Sequence, residues 1–188
     1  INESKITRRQ ARFKVGLCFQ YPEYQLFEST VYKDISFGPK NMGLSEDEID
    51  NRVKKAADFV GLKPDMLNKS PFDLSGGEKR RVAIAGVMAM EPEILILDEP
   101  SAGLDPRGRD MIAEMISSYR KTTGSTVIIV SHSMEDVAKS ADKVLVMNKS
   151  EVEMFGTVHE VFSKVERLAD IGLNVPQLTQ IFLNLKKL

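Results

Sequence analysis

Four apolar residues in a row, Ile94-Leu95-Ile96-Leu97, run directly into two carboxylates, Asp98-Glu99. A strand that is apolar at every position has both faces buried, and such strands belong to parallel sheets covered by helices. The chain downstream agrees. Asp105-Pro106 opens a helix, with proline at the first helical position. Ile112, Met115, Ile116 and Tyr119 form its apolar face, and Gly124 follows its end. Residues 126–130 read as the next strand, and Ser133 can cap a short helix to Ser140. Residues 143–147 and 152–155 are two further strands. Strand alternating with helix argues for an α/β fold with a parallel, doubly wound sheet.

The upstream half reads differently. Residues 15–19 (Val-Gly-Leu-Cys-Phe) form a short strand that leads into Gln20-Tyr21-Pro22. Ser45 with Glu48 makes a capping box, after which Ile49, Val53, Ala56, Ala57 and Val60 share one helical face. Gly61 supplies a left-handed stop. Ser75 with Glu78 makes a second box, opening a helix to about Met88. Residues 28–90 therefore read as mostly helical, a subdomain inserted after the first strand. The expected divisions are 1–27 and 92–162 as sheet core, 28–91 as helical subdomain, and 163–188 as a helical extension around Pro176.

At 188 residues the chain holds one domain or one and a half. A net charge of −1 gives no electrostatic case for nucleic acid, and no nucleic-acid partner is expected. The single cysteine, Cys18, cannot form an internal disulfide. The longest apolar runs are far too short to span a bilayer, and no signal peptide opens the chain. Residue 1 is Ile, so the chain is expected to be a fragment. Lys5, Arg8, Arg9, Arg12 and Lys14 read as a solvated helix face. Met88, Met90, Met111, Met115 and Met134 read as core filler, and His159 as a surface residue.

Three segments carry chemistry. Ser75-Gly76-Gly77-Glu78 places unobstructed N–H groups and a hydroxyl at a helix start, where the helix dipole favours an anion. Asp98-Glu99 stands at the carboxyl end of a sheet strand, the end at which open α/β sheets bind ligands. One carboxylate there suits Mg²⁺, the other an attacking water. Gln20 and His132 follow two other strands at the same end.

In chain order these segments resemble the ABC ATPase family. Gln20 with Tyr21-Pro22 is similar to its Q-loop. Leu74-Ser75-Gly76-Gly77-Glu78, continued by Lys79-Arg80-Arg81-Val82-Ala83-Ile84-Ala85, is similar to its signature. Asp98-Glu99 resembles the end of its Walker B strand, Pro100-Ser101-Ala102-Gly103-Leu104-Asp105 its D-loop, and His132 its switch histidine. The resemblance implies a P-loop NTPase (RecA-like) core with an inserted helical subdomain. It also implies ATP and Mg²⁺, with Glu99 and His132 catalytic. Asp98 and Gln20 would hold the metal, largely through water. Ser75, Gly76, Gly77, Glu78 and Asp105 would be nucleotide contacts. Two subunits of such ATPases face each other head to tail, so Ser75, Gly76 and Gly77 would reach nucleotide held by the partner.

Gln20-Tyr21-Pro22-Glu23-Tyr24-Gln25-Leu26-Phe27, then Thr30-Val31 and Ile35-Ser36-Phe37-Gly38-Pro39, resembles the ATPase subunits of energy-coupling factor transporters. Gly156-Thr157 with Glu160-Val161-Phe162 fits the same branch. These import vitamins and transition-metal ions such as cobalt and nickel. The implied partners are a second ATPase subunit, identical or homologous, a transmembrane coupling subunit and a substrate-binding membrane subunit. Tyr21, Pro22, Glu23 and Phe27 are the implied docking residues, and the implied location is the cytoplasmic face of the cell membrane.

No phosphate-binding loop is found. Residues 38–43 have its glycine spacing, but Leu44 stands where lysine is required. Residues 103–108 are followed by Arg109-Asp110, without lysine or hydroxyl. The family places this loop before the Q-loop, hence before Ile1. A DNA-repair or chromosome-organising ATPase would insert long coiled coils between Q-loop and signature, and residues 21–74 carry no heptads. A translation-associated relative would carry two ATPase domains. A regulatory protein without hydrolysis would not need Asp98, Glu99 and His132 together.

Overall fold

The computed structural model describes residues 5–176, 180, 181 and 185, with side chains from residue 10 onward. It divides into two compact units, Ile1–Val130 and Ser131–Leu188.

In the first unit, helix α1 (Lys5–Lys14) leads into strand β1 (Val15–Cys18) and a 3-10 turn, Pro22–Gln25. Three helices follow: α2 (Val31–Met42), α3 (Glu46–Phe59) and α4 (Gly76–Met88). Their starts follow from their caps. Thr30 accepts from the Lys33 N–H at 3.3 Å, and Ser45 from the Glu48 N–H at 3.4 Å. Gly43 (φ 81°) turns the chain out of α2 in the left-handed conformation that glycine adopts without strain. Strand β2 (Ile94–Asp98), helix α5 (Pro106–Thr123) and strand β3 (Thr126–Val130) complete the unit.

The sheet is parallel with β2 in the centre. Cys18 lies opposite Leu97, and Asp98 opposite Val130. Leu95 and Leu97 have no exposed surface, each burial worth about 1.5–3 kcal/mol. They join Val31, Ile35, Val53, Val82, Ile84 and Tyr119 in one core. Gly16 lets β1 approach closely: a Cβ there would lie 2.7 Å from Val87 Cγ1 and 2.9 Å from Pro92 Cγ. The expectation that β2 is buried on both faces holds for one face only. On the other, Leu17, Ile128 and Val130 are about half exposed, and Ile94 and Ile96 only partly buried.

The second unit contains α6 (Met134–Ser140), β4 (Lys143–Asn148), β5 (Glu151–Thr157), α7 (Val158–Phe162) and α8 (Val165–Asp170). Here the expectation that the last two strands continue the parallel sheet is corrected. β4 and β5 form an antiparallel pair of their own. Lys149 (φ 48°) and Ser150 (φ 66°) make the two-residue left-handed turn between them, the geometry that matches strand twist in a hairpin. Helix α7 was not anticipated, although Thr157 and Glu160 form a full capping box at its start. Val146, Met154, Val161, Phe162 and Leu168 make this unit's core.

Within the expected extension 163–188, α8 closes shortly before Gly172 (φ 78°); beyond Pro176 only residues 180, 181 and 185 are described, and these are helical. Met88 and Met115 are buried as expected, whereas Met111 is half exposed. His159, Arg12 and Lys14 are exposed. Lys14 pairs with Glu93 at 2.8 Å, while the side chains of Lys5, Arg8 and Arg9 lie outside the description. Among the described residues no helix is long and apolar enough to cross a membrane.

Candidate functional site

The carboxyl ends of parallel strands share one sheet edge. The register brings Cys18 of β1 level with Leu97 of β2. Gln20, two residues past β1, and Asp98, at the end of β2, therefore stand at adjacent strand ends. Gln20 is exposed, and Asp98 and Glu99 are partly buried. Glu99 has left the strand in a left-handed conformation, φ 46°. Its N–H donates to the Val130 carbonyl at 2.9 Å, and its carbonyl accepts from the Ala102 N–H at 3.0 Å. That tight turn re-aims the chain immediately after the acidic pair.

Among the described residues, no group of three or more His, Cys, Asp or Glu could hold a metal ion. The Asp98 carboxylate and Gln20 amide are two hard oxygen donors at adjacent strand ends. This set fits Mg²⁺, which commonly takes one or two carboxylates and completes its shell with water and phosphate. It does not fit a cage built of protein ligands alone.

Asp105 caps α5: its Oδ1 accepts from the Gly108 N–H at 2.7 Å. The carboxylate expected to meet nucleotide is thus engaged in starting a helix. His132 is exposed, in the second unit, just after β3. Beside it the Ser131 hydroxyl accepts from the Ser133 N–H at 3.0 Å.

At the start of α4 the capping box is complete. The Ser75 hydroxyl accepts from the Glu78 N–H at 3.4 Å, and Glu78 Oε2 accepts from the Ser75 N–H at 2.9 Å. The same oxygen takes the Ser75 hydroxyl proton at 2.7 Å. These bonds from Ser75 hold the Glu78 carboxyl below its ordinary value, against a small opposing effect of burial. Glu78 therefore faces back onto Ser75. The outward donors are the N–H groups of Gly76 and Gly77, which have no intrahelical acceptor. A Cβ added to either glycine would meet nothing within 4 Å.

The Pro22–Gln25 turn departs from the docking expectation. Pro22 is buried, and the Glu23 side chain is only 16% exposed. Its carboxylate is held by Arg80 of α4, through Nε at 3.1 Å and Nη2 at 2.8 Å. Burial raises the Glu23 carboxyl, but the bonds and charge of Arg80 outweigh it and leave the group below its ordinary value. Tyr21 (43% exposed), Tyr24 (86%) and Phe27 (58%) are what this segment presents to solvent. Phe27 meets Phe37 edge to face at 4.9 Å. Close by, burial pushes the Cys18 thiol up to about 12, leaving it protonated.

Two residues escaped the sequence reading. Tyr24 lies within the Gln20–Phe27 segment implied to meet a membrane partner, but is not among the residues singled out for it, although it is the most exposed of the three aromatics there. Arg80 passed as part of a basic continuation, yet its spacing to Ile84 and Met88 puts it on the buried stripe of α4, where a charge requires a partner.

The family described as ABC transporter matches residues 1–102. The energy-coupling factor transporter ATP-binding protein EcfA2 of Caldanaerobacter subterraneus subsp. tengcongensis is 54% identical over 187 residues, covering 100% of this chain and 65% of that protein. EcfA2 of Clostridium perfringens is 58% identical over 187 residues, covering 99% and 66%. The chain thus spans just under two thirds of the length of these relatives. The solved structure of cbiO1 from Clostridium perfringens, part of the ABC transporter complex cbiONQ, matches with a TM-score of 0.80 at 41% identity. It covers 97% of this chain and 72% of that one. The parallel sheet and its helices are the α/β fold of ABC ATPase domains, and the chain belongs to the ABC transporter family, among the energy-coupling factor ATP-binding proteins.

Proposed function

We propose that this chain is part of an ATPase subunit that drives an energy-coupling factor importer, for a vitamin or a transition-metal ion such as cobalt or nickel. One observation carries the reading. A single edge of the parallel sheet gathers Gln20, Asp98 and Glu99, while a separate helix start turns the Gly76 and Gly77 N–H groups outward.

In this reading the two features serve different ATP molecules. Glu99 orients the attacking water and accepts its proton, and His132 hydrogen-bonds the γ-phosphate. Asp98 and Gln20 hold Mg²⁺, largely through water, and the ion supplies charge neutralisation at the phosphates. Gly76 and Gly77, set by Ser75 and Glu78, complete the nucleotide site of a second ATPase subunit, identical or homologous. Asp105 supports the turn after Glu99 by anchoring α5. The exposed aromatics Tyr21, Tyr24 and Phe27 meet a transmembrane coupling subunit, which works with a substrate-binding membrane subunit. The protein then sits at the cytoplasmic face of the membrane.

The test is Glu99→Gln in the full-length protein. Turnover should fall by about 10²–10⁴-fold while ATP binding persists. Near-parental turnover would remove Glu99 as the base. Uptake of labelled cobalt, nickel or a vitamin by the assembled complex identifies the cargo.

A further inference from the structure

Arg80 carries a fixed positive charge into the core of the first unit, where it is 4% exposed. Its contacts reach two separate turns. Nε and Nη2 grip both oxygens of Glu23 in the turn that follows β1. Nη1 donates to the carbonyl of Ala102, in the turn that follows β2. The guanidinium also lies 5.7 Å from the centroid of the Tyr21 ring. Only a planar fork of donors spans such a set; an ammonium is a point charge and does not.

Both turns contain a non-glycine residue in the left-handed region, Tyr21 at φ 56° and Glu99 at φ 46°. Such conformations persist only where the surroundings over-determine them. The Ala102 N–H donates to the Glu99 carbonyl at 3.0 Å, so Arg80 grips the same residue that bonds the Glu99 backbone. A buried ion pair kept for stability alone could be replaced by apolar residues. This one ties an exposed aromatic turn to the acidic turn.

We propose that Arg80 is a positioning residue that couples the Pro22–Gln25 turn to the turn carrying Glu99, so that displacing the first displaces the second. The inference rests on the reading of Glu99 as the base. A partner docked on Tyr21, Tyr24 and Phe27 would then alter the placement of Glu99 through one side chain of α4.

The test uses the full-length protein assembled with its membrane partners, comparing Glu23→Gln, Arg80→Lys and Glu99→Gln. Glu23→Gln keeps the shape of the side chain and removes its charge, so it reports even where Arg80→Lys fails to fold. The expected result is a fall in kcat of roughly 10- to 100-fold, as for a misplaced catalytic group. KM for ATP should stay within about twofold, the mark of an interaction that acts on the chemical step. A lowered thermal midpoint with kcat unchanged in folded Glu23→Gln would make the pair structural and overturn the coupling. If Glu99→Gln is inactive in that same experiment, the coupling alone has failed. Near-parental turnover by Glu99→Gln would overturn the underlying reading, and the coupling with it.

Discussion

Glu78 shows how one side chain sets the character of a site without facing it. Its carboxylate takes both the N–H and the hydroxyl proton of Ser75, which fixes the first turn of α4 and leaves the glycine donors outward. The folded group lies below its ordinary value of 4.5, chiefly through the Ser75 hydroxyl bond. Its contribution is therefore complete above that value and is lost as pH falls through the lowered one. Glu78→Ala should cost about 1 kcal/mol at neutral pH. The gap in thermal midpoint between the two proteins should close on acidification, and a gap independent of pH would count against the assignment. This box was legible because both partners lie three residues apart. The Arg80–Glu23 pair was not, because its partners are 57 residues apart in sequence and only the fold brings them together.

At the scale of elements, caps and apolar spacing located α3, α4 and α5 closely, since each has a serine or aspartate before it and a buried stripe along it. Helix α7 has only five residues, too few for a stripe to emerge, and its capping box went unread. The β4–β5 hairpin was hidden for another reason. Its turn is Lys149-Ser150, without the Asn-Gly or Asp-Gly that usually marks two left-handed residues. Close packing of β1 against α4 was equally invisible, yet it depends on one residue. Gly16→Ala should wedge the strand against Val87 and Pro92 and cost about 1–3 kcal/mol. Urea unfolding measures this directly, and an unchanged midpoint would show that the strand has room to move.

At the scale of the whole chain, the edge of the parallel sheet and the start of α4 are both built, but no segment combines glycine spacing with the lysine and hydroxyl needed to cradle phosphates. The 188-residue chain alone should therefore show no micromolar binding of MgATP by calorimetry; a clear micromolar isotherm would mean that the sheet edge suffices. Family and fold were legible because short motifs recur in a fixed order along the chain. The half-bare face of the sheet was not, because apolar strands look alike whether or not something covers them. Gly76 and Gly77 carry a last consequence. Neither has a neighbour that a methyl group would strike, and alanine is the better helix former by about 1 kcal/mol. The fold alone therefore makes no steric demand for glycine at either position.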